Sequence, residues 1–150
     1  MNPRLSQHFT LAELVHSEIA VRKGIPNTPS PEVRSNMGVL AQGLEAVRAL
    51  LRGAPIVVSS GYRSPELNRA IGGSATSAHM QGWAADFIAP AFGTPLEICA
   101  EIAASGIVFD QLLQEGAWVH LSFDPRARRD VKTAHFGLNG RVSYTQGLAA

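Results

Sequence analysis

His79 and Asp86 stand seven residues apart in the run Ser77-Ala78-His79-Met80-Gln81-Gly82-Trp83-Ala84-Ala85-Asp86-Phe87, and a second histidine, His120, follows in the apolar run Trp118-Val119-His120. Two imidazoles and a carboxylate with one coordination position left open form a recurring catalytic zinc arrangement. The set predicts a metallohydrolase site. Upstream, Ser59-Ser60-Gly61-Tyr62-Arg63-Ser64-Pro65 adds a guanidinium, Arg63, whose planar fork suits a carboxylate or an oxyanion. Taken singly these residues say little. A lone histidine in an apolar strand is more often a hydrogen-bonded core residue than a ligand, Arg63 alone would be a solvated arginine, and Glu115 alone a turn-flanking charge. Their joint occurrence carries the reading.

A hairpin has to place His120. Phe109 to Glu115 and Trp118 to Phe123 read as strands separated by Gly116-Ala117, a two-residue turn with glycine first, as type II′ requires. Such a turn sets Glu115 opposite Trp118, Leu113 opposite His120 and Gln111 opposite Ser122, with all six side chains on one face. Val119, Leu121 and Phe123 point the other way with Leu112 and anchor the hairpin. Glu115 is then diagonal to His120, roughly 7 Å between backbones and within reach of a glutamate side chain. A carboxylate in that place is what a general base acting on water needs.

The remaining elements follow from caps and periodicity. Thr10-Leu11-Ala12-Glu13 is a capping box, opening a helix expected from about Leu11 to Arg22 and stopped by Gly24. Ile25 to Pro29 reads as a surface loop. Ser30-Pro31 starts a long helix to about Arg52, whose Val33, Met37, Leu40, Leu44, Val47 and Leu51 recur at three- and four-residue steps. Pro55 to Ser59 reads as a short buried strand. Ser64-Pro65 caps a short helix ended by Gly72-Gly73, and the loop to Ser77 is small enough to let backbone approach a ligand. In Ala84 to Ile88, alternation puts Asp86 on one face and Phe87 on the other. Thr94-Pro95-Leu96-Glu97, a second capping box, opens a helix through Ala104. Beyond Asp124 the chain reads as loop, with a weak edge strand near Arg141 to Tyr144. Helices first, then strands with helices between, predict one α+β domain over 1–150 with a small, mostly antiparallel sheet and helices packed around it.

Size and charge bound the partners. A chain of 150 residues and 16.0 kDa, 45% hydrophobic and 17% charged, suits one core. Its net charge of +1 gives no electrostatic case for nucleic acid or an anionic membrane surface. The single cysteine, Cys99, excludes an internal disulfide and leaves no thiolate zinc site; among Leu96, Ile98 and Ile102 it is expected to be buried and inert. The first residues lack the apolar segment of a secretory signal and no stretch approaches a membrane span, so the expectation is a monomer made in the cytoplasm, without membrane insertion.

The joint pattern resembles the zinc-dependent peptidases of the D-Ala-D-Ala carboxypeptidase type, a family that includes bacteriophage peptidoglycan endopeptidases. The matching residues are Ser60-Gly61-Tyr62-Arg63-Ser64-Pro65 with Asn68, then Ser77, His79, Gly82, Ala84, Asp86 and Phe87, then Phe109-Asp110-Gln111 followed by Trp118-Val119-His120. Phe9 to Leu14 looks like the helical lead-in of small phage-borne members. The resemblance implies a hedgehog-like, DD-peptidase-like fold with His79, Asp86 and His120 as zinc ligands. It also implies Arg63 holding substrate oxygens, with Ser77 and Gln111 as further substrate contacts. Many relatives carry the catalytic acid three positions before the last histidine, where this chain has Ala117; the hairpin offers Glu115 instead. The implied activity is hydrolysis of a bond in the peptidoglycan stem peptide by a phage lysis enzyme that acts on the wall after release from the cytoplasm. The alternatives are a D-Ala-D-Ala carboxypeptidase or dipeptidase, and a non-catalytic zinc-containing binding module.

Overall fold

The structure is a computed structural model that describes residues 2–150. The helices are α1 (Leu11–Val15), α2 (Glu18–Lys23), α3 (Pro31–Leu50), α4 (Pro65–Ala70) and α5 (Pro95–Ala104), with a 3-10 turn at Ala78–Gln81. The strands are β1 (Val57–Ser60), β2 (Ala84–Ile88), β3 (Gln111–Gln114), β4 (Val119–Ser122), β5 (Asp130–Phe136) and β6 (Val142–Gln146). All six join one sheet in the order β1-β2-β4-β3-β5-β6. Every pairing is antiparallel except that of β3 with β5, so the domain is α+β with a mixed, mostly antiparallel sheet.

Alternation along the strands divides the sheet into two faces. Ala85 and Phe87 of β2, Val119 and Leu121 of β4 and Leu112 of β3 are buried in the core with Met37, Leu40, Leu44 and Val47 of α3 and Ile98, Cys99 and Ile102 of α5. Because side chains alternate with period two, Asp86 and His120 must leave by the other face. The caps form as the sequence predicts. Thr10 and Thr94 make complete capping boxes with Glu13 and Glu97, and Ser30 and Ser64 cap helices that begin on proline. The hairpin pairs Leu113 with His120 and Gln111 with Ser122, and only Gly116 of its turn pair takes positive φ, at 76°.

Three expectations are corrected. The helix expected from Leu11 to Arg22 is two helices, broken where His16 turns extended and Ser17 caps α2 by accepting from the Ala20 N–H. The carbonyls that would continue α1 are taken from outside: Tyr62 N–H donates to Leu14 O at 2.7 Å and the Asn27 amide to Val15 O at 2.7 Å. Second, β1 is the sheet's edge rather than a buried strand; Val57 is 51% exposed and only Ile56, just before the strand, is buried.

The third correction is β5, in a stretch read as loop. Its anchor is the buried carboxylate of Asp110, which accepts from Arg128 N at 3.1 Å, Nε at 2.9 Å and Nη2 at 2.9 Å. The chain turns through Ala127 and Arg129, both in the left-handed region, and the Arg129 and Asp130 amides donate to the carbonyls of Phe109 and Asp110. Strand β5 is thereby delivered parallel to β3, a pairing that no local turn signals.

The hydrogen bonds from Arg128 hold the Asp110 carboxyl below the usual carboxylate range, against the opposing effect of burial. A depressed carboxyl contributes stability above its unfolded value, about 3.9, and that stability is lost as pH falls through the folded value. Asp110→Asn is expected to be less stable at neutral pH by about 1–3 kcal/mol, as for losing hydrogen bonds to a charged group. Thermal unfolding should show the gap closing once the pH drops below about 4.

Candidate metal centre

Two of the three candidate ligands are set by strand register. Asp86 of β2 pairs directly with His120 of β4, and His120 Nδ1 lies 2.9 Å from Asp86 Oδ1. The third comes from the 3-10 turn. Ser77 Oγ accepts from the His79 amide at 3.2 Å and starts the turn, while Gly82 ends it with φ 75°. A Cβ at Gly82 would sit 2.8 Å from the Val33 carbonyl oxygen, so only glycine lets the turn lie against α3.

His79 is fixed in ring orientation and in tautomer. Its Nδ1 is 2.7 Å from the Gly61 carbonyl, an acceptor, so Nδ1 carries the proton and Nε2 presents a lone pair. That Nε2 is buried without a hydrogen-bond partner, and it faces Asp86 Oδ1 at 3.3 Å. A lone pair held against a carboxylate oxygen requires a positive charge between them. Ligand atoms of His79, Asp86 and His120 lie within 4.8 Å of one another, and the 2.9 and 3.3 Å separations match the edge of a tetrahedron with zinc bonds, about 3.3 Å. The donor set and the orphaned nitrogen therefore fit a zinc ion. Gly61 is demanded here because a Cβ would run into the Leu14 carbonyl oxygen, which is also bonded by Tyr62 N–H.

Electrostatics separate the groups. Burial pushes the Asp86 carboxyl up, but the imidazoles of His79 and His120 set against it outweigh that effect and hold the group well below the carboxylate range. Burial pushes His79 down, keeping its imidazole neutral against the pull of Asp86. Glu115 moves the opposite way from Asp86: burial, helped by the Asp86 charge, raises it despite His120 and Arg63. Cys99 takes no part, its thiol pushed up to about 12 by burial in the core.

All seven residues singled out in the sequence, Arg63, Ser77, His79, Asp86, Gln111, Glu115 and His120, line one cleft of about 690 Å³. Glu115 stands opposite Trp118, its amide donating to the Trp118 carbonyl at 3.1 Å. Arg63 Nη1 donates to Asn68 Oδ1 at 3.2 Å, while its Nε is buried with no partner, and Asn68 is held by Ser74 O at 2.8 Å. Gln111 is tied back to Asp130 at 3.0 Å, and Ser77 acts on His79 rather than standing free. Asp110 reaches the cleft wall but its carboxylate is committed to Arg128.

Sequence reasoning passed over Lys132 and Tyr144, which also line the cleft, because both belong to the β5–β6 hairpin. It also passed over Asn27, which bonds Val15 O, Tyr62 O and the Ser64 amide and so locks the Gly61-Tyr62-Arg63 segment in place. An asparagine between two prolines was the available signal.

Metal-free protein is expected to take up one zinc per chain, and His79→Ala, Asp86→Ala or His120→Ala to abolish it; full occupancy in His120→Ala would refute the ligand set. Gly61→Ala keeps all three ligands but displaces the carbonyl that orients His79. It should weaken zinc binding roughly 10- to 100-fold, measured by competition with a chromophoric chelator.

A family model described as Peptidase M15 matches residues 7–122, from the N-terminal lead-in to the end of β4. The match contains the convergent His79, Asp86 and His120. No curated protein matches the chain. With most of its length matched and the His-Asp-His cluster in place, the chain belongs to the peptidase M15 family of metallopeptidases.

Proposed function

We propose that the protein is a zinc-dependent peptidase that hydrolyses a bond within the peptidoglycan stem peptide. The observation that carries this reading is the orphaned lone pair of His79 Nε2, aimed with Asp86 and His120 into a cleft that Glu115 and Arg63 also face. A zinc ion bound there would supply Lewis acidity, lowering the pKa of water and polarising the scissile carbonyl. Glu115, raised by its burial, is suited to take a proton from the attacking water and return it to the leaving amine nitrogen. Arg63 brings a buried guanidinium donor with no partner in the chain, suited to a substrate carboxylate or to the developing oxyanion. His79 is kept from turning by Gly61, and Asp86 stays ionised over the working pH range.

The volume of the cleft, about 690 Å³, is in the range that takes a drug-sized ligand, and so several peptide units. This favours an internal bond. The unpartnered Arg63 Nε favours the second reading, a carboxypeptidase that grips the terminal carboxylate of D-Ala-D-Ala. We further propose a lysis role, the enzyme reaching the wall once the membrane is opened; its support is the likeness of Phe9 to Leu14 to the lead-in of phage-borne members.

Glu115→Gln is expected to retain zinc while losing at least roughly 100-fold in turnover, the range for a general base. Arg63→Lys should impair catalysis with the melting temperature little changed, since lysine cannot reproduce the fork; equal activity would return Arg63 to a structural role. Digestion of purified peptidoglycan followed by mass spectrometry of the muropeptides identifies the bond. An internal stem-peptide cut is expected, and release of single D-alanine would establish the carboxypeptidase instead. Permeabilised Gram-negative cells should lyse, whereas expression inside intact cells should be tolerated.

A further inference from the structure

The β5–β6 hairpin lies beyond residues 7–122 matched by the family, yet it forms one wall of the cleft. Parallel pairing sets Leu113 beside Lys132 and Gln114 beside Thr133, which brings Glu115 level with Ala134; the next pairing sets Ala134 opposite Tyr144. Directly paired residues share a face, so Glu115, Ala134 and Tyr144 form one row across three strands, roughly 10 Å from first to last at the usual strand spacing. The middle position carries only a methyl group. The two long side chains on either side of it both line the cleft that holds His120.

Tyr144 is 47% exposed and lines the cleft, so its ring is open to a bound molecule. The next row outward, Phe136 opposite Val142, is exposed as well, so the hairpin continues the cleft as an apolar rim. Burial of part of the ring, together with the charges of Glu115 and Asp86, keeps the phenol protonated and therefore a hydrogen-bond donor.

We propose that Tyr144 is a substrate-binding residue whose phenol O–H donates to a backbone carbonyl oxygen of the peptide bound on the Glu115 side of the cleft. The assignment rests on reading the cleft as a peptide site, and it makes the C-terminal hairpin part of the recognition surface. A phenol fits the task because it donates a hydrogen bond without adding charge beside Glu115.

The test is calorimetric binding of a synthetic peptidoglycan stem peptide to zinc-loaded Glu115→Gln protein, with and without Tyr144→Phe. Removing the hydroxyl should weaken binding roughly 3- to 10-fold, the range for one neutral hydrogen bond, with zinc content and melting temperature unchanged. Equal binding by the two proteins would overturn the proposal while wild-type hydrolysis still upheld the peptidase reading. Weakened binding by Tyr144→Phe alongside a wild-type protein that cuts no peptide would uphold Tyr144 and sink the peptidase. Failure of the Glu115→Gln protein to bind the peptide at all would overturn the assignment. A tyrosine that only covered Ala134 would show itself as a lowered melting temperature in Tyr144→Ala with no change in Tyr144→Phe.

Discussion

One carboxylate oxygen, Asp86 Oδ1, lies 2.9 Å from a nitrogen of His120 and 3.3 Å from a nitrogen of His79, and the fold keeps those three groups pointed at the same small space. A carboxylate removed from water costs several kcal/mol unless positive charge is brought to it. Here that charge would come from the cation that the carboxylate and two imidazoles are placed to hold. Each imidazole is held by a different means: His120 by strand register, His79 by a capped turn and a main-chain carbonyl. The arrangement is intolerant of small movements because the three ligand atoms must meet around one point, so displacing either ring opens the donor set.

The sheet converts hydrophobic burial into aim. Phe87, Val119 and Leu121 are fully buried against α3 and α5, and the two-residue period of a strand then leaves Asp86 and His120 no direction except the open face. A slip of one residue in either strand would put a carboxylate or an imidazole into the core and a phenylalanine or valine into the cleft. Core packing and ligand geometry are thus enforced by the same contacts. The family match ends with β4, the last strand that contributes a candidate ligand, and the hairpin beyond it adds wall rather than metal-binding atoms.

What could be read from the sequence was whatever depends on neighbours along the chain. The capping boxes at Thr10 and Thr94 and the pairing of Leu113 with His120 follow from adjacent residues, and through the hairpin so does the placement of Glu115 on the cleft face. The break after Val15 was hidden because the groups that claim the helix's last carbonyls are Tyr62 and Asn27, far along the chain. Strand β1 looked buried because β-branched residues mark a strand without saying whether it lies at an edge. Strand β5 was hidden for the same kind of reason: its partner is reached through Arg128 and Asp110, and its pairing is parallel. Tyr144 and Lys132 could not be assigned to the cleft without it.

The bond from Tyr62 N–H to Leu14 O and the bond from His79 to Gly61 O join segments that are distant in sequence, as does the pairing of Asp86 with His120. In the unfolded chain these groups are dispersed, so the donor set exists only once the long-range closures are made. An ion held by it binds the folded state alone and stabilises it by mass action, by about 2.7 kcal/mol when the free ion is at a hundred times its dissociation constant. Proteolysis of such a chain proceeds through its open form, whose population falls by the same factor. With such an ion as part of the fold, resistance to proteolysis would follow the free concentration of the metal, and its scarcity would expose the chain itself.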